Sequence, residues 1–265
     1  MQGRACDRLR PPRRWRAVIR VLVIIPALNE ASTLPGVLAA LRSECPHHDI
    51  VVVDDGSTDE TSAVARAAGA AVLRLPYNLG IGGALRTGFR YAVEHGYDAA
   101  VQVDADGQHD PASIELLLSE LDRADFVIGS RFSGGAVGYR VGRVRRLAMR
   151  MLELTVRLLT GTRYTDTSSG FRAFDRQVIE FFARTYPAEY MESVEALVQA
   201  TYQGFRIVEV PIGMNARAGG DPSTMHAKLA YHYFRVIVTL LVRSRRRPAG
   251  PTAAAGTPRA EVAAG

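Results

Sequence analysis

The sequence predicts an α/β protein built on an open, mostly parallel sheet with helices on both faces. Short β-branched runs alternate with amphipathic segments along the first half of the chain, Pro, Gly and Asp punctuate the boundaries, and acidic residues gather where the runs end. "RVLVIIP" is a strand stopped by proline, and "STLPGVLAALRS" after it places Leu34, Val37, Leu38 and Leu41 at helical spacing. "DIVVVDD" repeats the pattern, followed by a helix in "GSTDETSAVARAAG", where Ser57 and Glu60 have capping-box spacing and Gly69 closes the helix. "AAVLRLP" with "GGALRTGFRYAVEHG" forms a third unit. "YDAAVQVD" with "DPASIELLLSELDRA" forms a fourth, Asp110 being the N-cap and Pro111 the first helical residue. "DFVIGS" is a fifth strand.

The second half is less regular. "GRVRRLAMRMLELTVRLLTG" reads as a helix with an apolar face of Leu147, Met151, Leu154, Leu158 and Leu159 and an arginine-rich opposite side. A loop, "TRYTDTSSG", leads to "FRAFD", a helix over residues 189–203, a strand "FRIVEVPI" and a Gly-rich loop. The segment "HAKLAYHYFRVIVTLLVR" is apolar over much of its circumference.

With 265 residues, 47% of them hydrophobic, the chain has material for one substantial core with frayed ends. The expected division is a basic N-terminal stretch over residues 1–17, one domain over 18–225, an amphipathic helix over 226–243 and a tail over 244–265 too poor in large apolar groups to fold. The formal charge is +6, and Lys228 is the only lysine among the cations. A solvated charged end is the commonest reason for such arginine-rich flanks, so no nucleic-acid partner is expected. Cys6 and Cys45 make no metal spacing and no obvious disulfide pattern, which suits a reducing compartment. "RRWRAVIRVLVIIPALNEAS" has the basic-then-apolar order of a signal peptide, but Arg20 interrupts it, Pro26 ends it and no small-residue cleavage site follows. No stretch reaches the roughly 18 uninterrupted apolar residues that span a bilayer. The expectation is a cytoplasmic protein, with peripheral contact to the inner membrane face left open.

Ligands of a parallel sheet bind at the carboxyl ends of its strands. Those ends carry Pro26, Leu28 and Glu30, then Asp54 and Asp55, then Asp104 and Asp106, then Ser130 and Arg131. Taken singly, Asp55 has a role in the "DGSTD" turn and Asp110 in a helix cap; all of them on one rim point to a ligand. A dinucleotide cofactor would need Gly-x-Gly-x-x-Gly after the first strand, where "PALNEAS" stands instead, and "NLGIGGALRTG" lacks the Gly-Lys-Ser/Thr ending of a P-loop. Its Gly80, Gly82 and Gly83 form a tight turn near a nucleotide. Two carboxylates in "VDADGQHD" repel one another unless solvated, protonated or bridged by a cation. Hard oxygen ligands of this kind hold Mg²⁺ or Mn²⁺, which keeps sites open for substrate phosphates. A metal-bridged diphosphate is the ligand this rim fits.

"VIIPALNE", "IVVVDDGSTDET", "NLGIGGALRTG", "VQVDADGQHDP", "VIGSRF", "DTSSGFRAF" and "IVEVPI" stand in an order and spacing that resembles the family 2 nucleotide-sugar glycosyltransferases, most nearly the polyprenyl-phosphate hexose synthases. The resemblance covers residues 20–242. It implies the GT-A fold, a Rossmann-like α/β sheet, and a metal-dependent inverting transfer of a hexose from a nucleoside-diphosphate sugar to a polyprenyl phosphate. It further implies that Pro26, Leu28, Glu30, Asp54, Asp55 and Gly82 line the nucleotide-sugar pocket, that Asp104 and Asp106 hold metal and donor diphosphate with Gln108 as an added ligand, and that Arg131 contacts phosphate. Arg172 either contacts phosphate too or holds the sheet edge by a salt bridge.

Hydroxyl acceptors need a general base, whereas an acceptor phosphate is already anionic. In the family a carboxylate on the helix after "SGFR" serves hydroxyl acceptors, and here Glu192 and Glu195, three residues apart, are both candidates for that catalytic role, with structural ion pairing as the alternative for each. The segment is one residue longer than in relatives, so the choice between them stays open, as does transfer to a glycan or small-molecule hydroxyl. A silent nucleotide-sugar-binding module is a third reading, which retention of both aspartates opposes. In "NARAGGDPST", Arg217, Gly220 and Ser223 fit the family's Arg, Gly-x-Ser pattern only with an extra residue, and Arg217 and Ser223 are the expected acceptor or phosphate contacts. The helix over 226–243 suits a membrane surface, the domain's own flank or a homodimer contact.

Overall fold

The computed structural model describes residues 19–132, 143–188 and 192–213, together with Val238. The expected N-terminal stretch, the helix over 226–243, the tail, Arg217, Gly220 and Ser223 lie outside the described residues. Seven strands form one sheet: β1 (Val21–Ala27), β2 (Asp49–Asp54), β3 (Ala71–Arg74), β4 (Ala99–Gln102), β5 (Phe126–Ser130), β6 (Arg172–Asp175) and β7 (Ile207–Pro211), in the order β3-β2-β1-β4-β6-β5-β7. All neighbours are parallel except β6, which runs antiparallel to both β4 and β5. The exits of β1, β2, β4 and β5 and the entry of β6 therefore share one rim.

Helices α1 (Leu34–Glu44), α2 (Thr61–Ala67), α3 (Ile81–Glu94), α4 (Ile114–Ser119), α5 (Arg143–Thr160), α6 (Arg176–Thr185) and α7 (Glu192–Tyr202) cover the sheet. The strand period of two divides the core into two layers. Leu22 and Ile24 of β1 join the layer that holds Phe89 of α3, Val178 of α6 and Leu197 of α7. Val21, Val23 and Ile25 join the layer of Leu38 from α1 and Leu117 from α4. Such two-sided burial explains why β1 reads as a continuous apolar run.

Four local readings change. The capping box at Ser57 and Glu60 does not form. Instead, Ser57 Oγ accepts the Asn29 N–H at 2.9 Å, Asp59 accepts the Thr61 N–H at 3.0 Å, and α2 starts only at Thr61. Asp110 does cap, accepting from Ala112 N at 3.1 Å, but over a 3₁₀ turn at Pro111–Ser113 that precedes a short α4. Helix α6 was not expected at all: Asp175 ends β6 and caps α6 in the same residue, its carboxylate accepting from Val178 N at 3.0 Å.

The face of α5 is also reassigned. Leu152 and Val156 are buried, with Leu159 packed partly against the core, whereas Met151, Leu154 and Leu158 are 53%, 55% and 77% exposed. The α5 sequence carries two apolar stripes, and of the apolar face read from the sequence Met151, Leu154 and Leu158 face outward.

Candidate active site

The rim is organised by side chains that serve the backbone. Asn29, in the left-handed region at φ 56°, accepts the Thr58 N–H at 2.9 Å and so ties the β1 exit to the β2 exit. Asp55 accepts the Leu79 N–H at 2.7 Å, fixing the turn that opens α3. Burial, with some repulsion from Asp54, holds the Asp55 carboxyl above its usual range despite N–H donors from Leu79 and Gly80. These loops enclose a cleft of about 370 Å³ whose lining includes Pro26, Leu28, Glu30, Asp55, Asp104 and Asp106. Asn78, Gly80, Ile81 and Ala84 complete another wall of it.

Asp54 and Gly82 do not line the cleft. Asp54 is buried and receives Ser57 N at 2.8 Å and the Ser62 hydroxyl; burial opposes its ionisation, but those hydrogen bonds and Arg74 hold its carboxyl below the usual range. Its role is the turn. At Gly82 a Cβ would meet the Pro187 carbonyl oxygen at 2.0 Å, so glycine is needed there for α3 to approach residues 187 and 188.

Asp104 is the most constrained carboxylate. His109 Nδ1 accepts the Asp104 N–H at 3.1 Å, which leaves Nε2 to carry a proton 3.5 Å from Asp104 Oδ2. The imidazole is itself pinned by stacking on Phe171, centroids 4.8 Å apart. On its other side the carboxylate lies against bare Gly170, where a Cβ would come within 2.6 Å of Oδ2 and 2.7 Å of Oδ1. Asp104 Oδ1 is buried with no hydrogen-bond partner. A buried anionic oxygen without a donor is costly unless a ligand supplies positive charge or a proton. Asp106 lines the same cleft, its Oδ1 receiving the Gln108 N–H at 3.0 Å. Two carboxylates, one with an orphaned oxygen, are a donor set that would fit a hard divalent cation. The Gln108 side chain is not among the residues lining the cleft.

Residues 22–182 match the family model described as glycosyl transferase family 2. The chain belongs to that family. An undecaprenyl-phosphate mannosyltransferase of Micrococcus luteus is 37% identical over 214 residues, covering 77% of this chain and 86% of its own. A polyprenol monophosphomannose synthase of Mycolicibacterium smegmatis is 33% identical over 240 residues, covering 85% and 88%. Among solved structures, glucosyl-3-phosphoglycerate synthase from Mycobacterium tuberculosis, in complex with Mn²⁺, UDP and glucosyl-3-phosphoglycerate, superimposes with a TM-score of 0.67 at 23% identity over 88% of this chain and 82% of that one. The fold is GT-A and the protein is a glycosyltransferase.

Beyond the cleft, this glycosyltransferase arranges a second set of charges. Arg131 is gripped bidentately by Asp166, Nε to Oδ2 and Nη2 to Oδ1 both 2.7 Å, and Nη2 also reaches Ser168 Oγ at 3.0 Å. The Asp166 side chain is fully buried, and Glu209 fixes its segment by accepting the N–H groups of Thr165 and Asp166. The Arg131 side chain retains 23% exposure at the rim. Arg172 is different. It is fully buried in a strand interior to the sheet, where Nη1 donates to Ser193 O at 2.9 Å and Nη2 to Thr167 O at 3.2 Å. One expectation for it is corrected: β6 lies between β4 and β5, so Arg172 sits at no sheet edge, and its two hydrogen bonds join β6 to Ser193 at the start of α7 and to Thr167.

Glu192 and Glu195 of the transferase are both buried, and their surroundings differ. Glu195 accepts from Gln199 Nε2 at 3.1 Å within α7. Glu192 accepts from Ser193 Oγ at 2.7 Å. Burial, with a contribution from the charge of Asp104, raises its carboxyl pKa against the opposing pull of Ser193 and Arg172. Glu192 thus shares the field of Asp104. Tyr186 lies in that field as well, its ring held between Phe89 and Phe182 and its hydroxyl buried close to Arg172. Sequence reasoning passed over Asn78, His109, Asp166 and Tyr186. Of these, Asn78, His109 and Asp166 stand inside quoted motifs, and the aspartate had the chemistry to pair with Arg131.

One substitution tests the fit around Asp104. Gly170→Ala forces the carboxylate to move by several tenths of an ångström, and a misplacement approaching 1 Å costs about a hundredfold in rate. The expected result is a large fall in kcat with a smaller loss of thermal stability, measured by steady-state transfer beside a melting curve.

Proposed function

We propose that this glycosyltransferase moves a hexose from a nucleoside-diphosphate sugar to a polyprenyl phosphate, inverting the anomeric configuration. Asp104 carries the proposal: its orphaned buried oxygen faces the need for a cation beside a nucleotide-sized cleft. The acceptor class is supported by the names of the M. luteus and M. smegmatis relatives, and the cation by neighbours crystallised with Mn²⁺ or Mg²⁺.

In this reading Pro26, Leu28, Glu30 and Asp55 hold the nucleoside, and Asp104 and Asp106 hold the divalent ion. That ion, when bound, binds the donor diphosphate and neutralises charge developing on it. His109 and Gly170 keep the Asp104 carboxylate in place. Arg131, oriented by Asp166, presents positive charge at the rim to the acceptor phosphate. A phosphate oxygen attacks the anomeric carbon as the bond to the nucleoside diphosphate breaks, and no side chain has to remove a proton. Glu192 suits this scheme, because burial disfavours the anionic form that a base for a hydroxyl acceptor must adopt.

Glu192→Gln separates the two acceptor classes. A phosphate acceptor predicts that transfer survives, whereas a hydroxyl acceptor served by Glu192 predicts roughly a thousandfold loss. The same variant carries a pH signature. Because the folded-state pKa of Glu192 is raised, folding favours its protonated form, and its contribution to stability declines as pH rises above the unfolded value of about 4.3. Glu192→Gln is therefore expected to raise Tm relative to the parent at pH 7–8, with the gain shrinking toward pH 4.

The exposed stripe of Met151, Leu154 and Leu158 lies beside exposed Arg150 and Arg157, a pairing that suits an anionic lipid surface where such an acceptor resides. Among the described residues no helix is long and apolar enough to cross a membrane. Replacing the three apolar residues by Ser is expected to reduce co-sedimentation with phosphatidylglycerol vesicles at least severalfold. Transfer to a short, water-soluble polyprenyl phosphate should persist. The decisive test of function is a panel of UDP, GDP and TDP sugars with a short polyprenyl phosphate, scored for radiolabel entering the organic phase. Label reaching only glycans or water would overturn the acceptor assignment.

A further inference from the structure

Outside the cleft, the end of α1, the turn into β2 and the start of α4 bring three metal-binding side chains together. Cys45 is the C-cap of α1, and the His48 N–H donates back to the Cys45 carbonyl at 3.2 Å, closing a Cys-Pro-His-His turn. The buried Cys45 Sγ points at the α4 entry, 3.6 Å from the Pro111 carbonyl oxygen. From α4, Glu115 Oε1 meets His48 Nε2 at 2.8 Å. The sulfur, nitrogen and oxygen ligand atoms all lie within 4.8 Å of one another. The sequence reading found no metal spacing at either cysteine; it passed over the Cys-x-x-His spacing, and the third ligand, 67 residues beyond His48, was invisible to it.

We propose that Cys45, His48 and Glu115 form a binding site for a zinc ion. This inference is independent of the glycosyl-transfer reading. Thiolate, imidazole and carboxylate are a ligand set of zinc, which binds sulfur at about 2.3 Å and nitrogen or oxygen at about 2.0–2.1 Å in tetrahedral geometry. Those bonds place neighbouring ligand atoms roughly 3.3–3.6 Å apart. His48 and Glu115 must therefore open slightly and Cys45 must turn from the Pro111 carbonyl, all within side-chain rotation. The fourth position faces outward, since the Glu115 side chain is 68% exposed, and water can fill it.

The electrostatics agree in sign. Burial, then the charges of Glu115 and Glu44, push the Cys45 thiol up to about 11, so without a cation it stays protonated. The same two carboxylates attract a divalent ion, which releases the thiol proton as the metal–sulfur bond forms. Zinc there would clamp the end of α1 to the helix that follows Asp104 and Asp106.

The test uses the full chain carrying Cys6→Ser, which leaves Cys45 as its one cysteine. Titration of the metal-free protein with Co²⁺ should produce a thiolate-to-cobalt charge-transfer band that saturates at one equivalent and is erased by Zn²⁺. His48→Ala and Glu115→Gln should each weaken binding at least tenfold, Cys45→Ser should abolish the band, and Asp106→Ala should leave it unchanged. Absence of the band, or a band indifferent to His48→Ala and Glu115→Gln, overturns the proposal. Because Glu115 is exposed, those two variants decide the matter even if Cys45→Ser fails to fold.

Discussion

Asp106→Ala is expected to abolish transfer while the protein stays folded. The carboxylate lines the cleft, and among its contacts it accepts a hydrogen bond from Gln108 N at 3.0 Å that closes a part-buried turn. Loss of one such turn contact costs about 0.5–1.5 kcal/mol, a small share of domain stability. Loss of a ligand to the cation is another matter. If the metal-bound diphosphate loses about 4 kcal/mol of transition-state stabilisation, the rate falls roughly a thousandfold. The measurement is transfer with Mn²⁺ titrated from micromolar to millimolar, beside circular dichroism and a melting curve. Retention of full activity by the variant, with chelator present, would remove the cation from the mechanism. Asp104 is a poorer choice for this experiment: it is pressed between His109 and Gly170, so its replacement also disturbs the floor of the site.

Much of this rim was legible because the chemistry sits where a predictable strand stops. Once "VQVD" is read as a buried strand, Asp104 and Asp106 must emerge at its carboxyl end, and β1, β2 and β5 deliver their own terminal residues to the same edge. Local rules carry that far. They do not say which of two neighbouring carboxylates turns inward: Asp54 and Asp55 are adjacent, yet Asp54 is consumed by Ser57 and Ser62 and Asp55 reaches the cleft.

The second half was harder for physical reasons. Two apolar stripes run along α5, and periodicity alone cannot rank them; burial of Leu152 and Val156 is decided by where α7 lies. The antiparallel β6 and the unannounced α6 arise from "FRAFDRQVIEFF", where one residue, Asp175, ends a strand and caps a helix with no intervening loop to mark the change. Glu192 and Glu195 look alike on a helical wheel. The charges that act on Glu192, those of Arg172 and Asp104, come from other elements, which a helical wheel does not contain.

Asp166→Ala is expected to damage both stability and transfer. The Asp166 side chain is fully buried, and it holds Arg131 through two hydrogen bonds of 2.7 Å as well as the Arg131 N–H at 3.1 Å. Removing one partner of a buried pair typically costs 3–5 kcal/mol because the other charge is stranded. Arg131 keeps 23% exposure and can recover some hydration, so a loss of about 2–3 kcal/mol is the better expectation. For a domain of this size that lowers Tm by about 4–12 °C. The kinetic loss should be selective. An untethered guanidinium no longer meets the acceptor phosphate in a fixed orientation, so KM for polyprenyl phosphate should rise while Kd for the nucleoside diphosphate holds. A double-mutant cycle with Arg131→Ala separates the effects, since Asp166→Ala should add little transfer defect once Arg131 is gone. Equal defects in donor and acceptor parameters would mean that Asp166 supports the rim as a whole rather than aiming Arg131 at a phosphate.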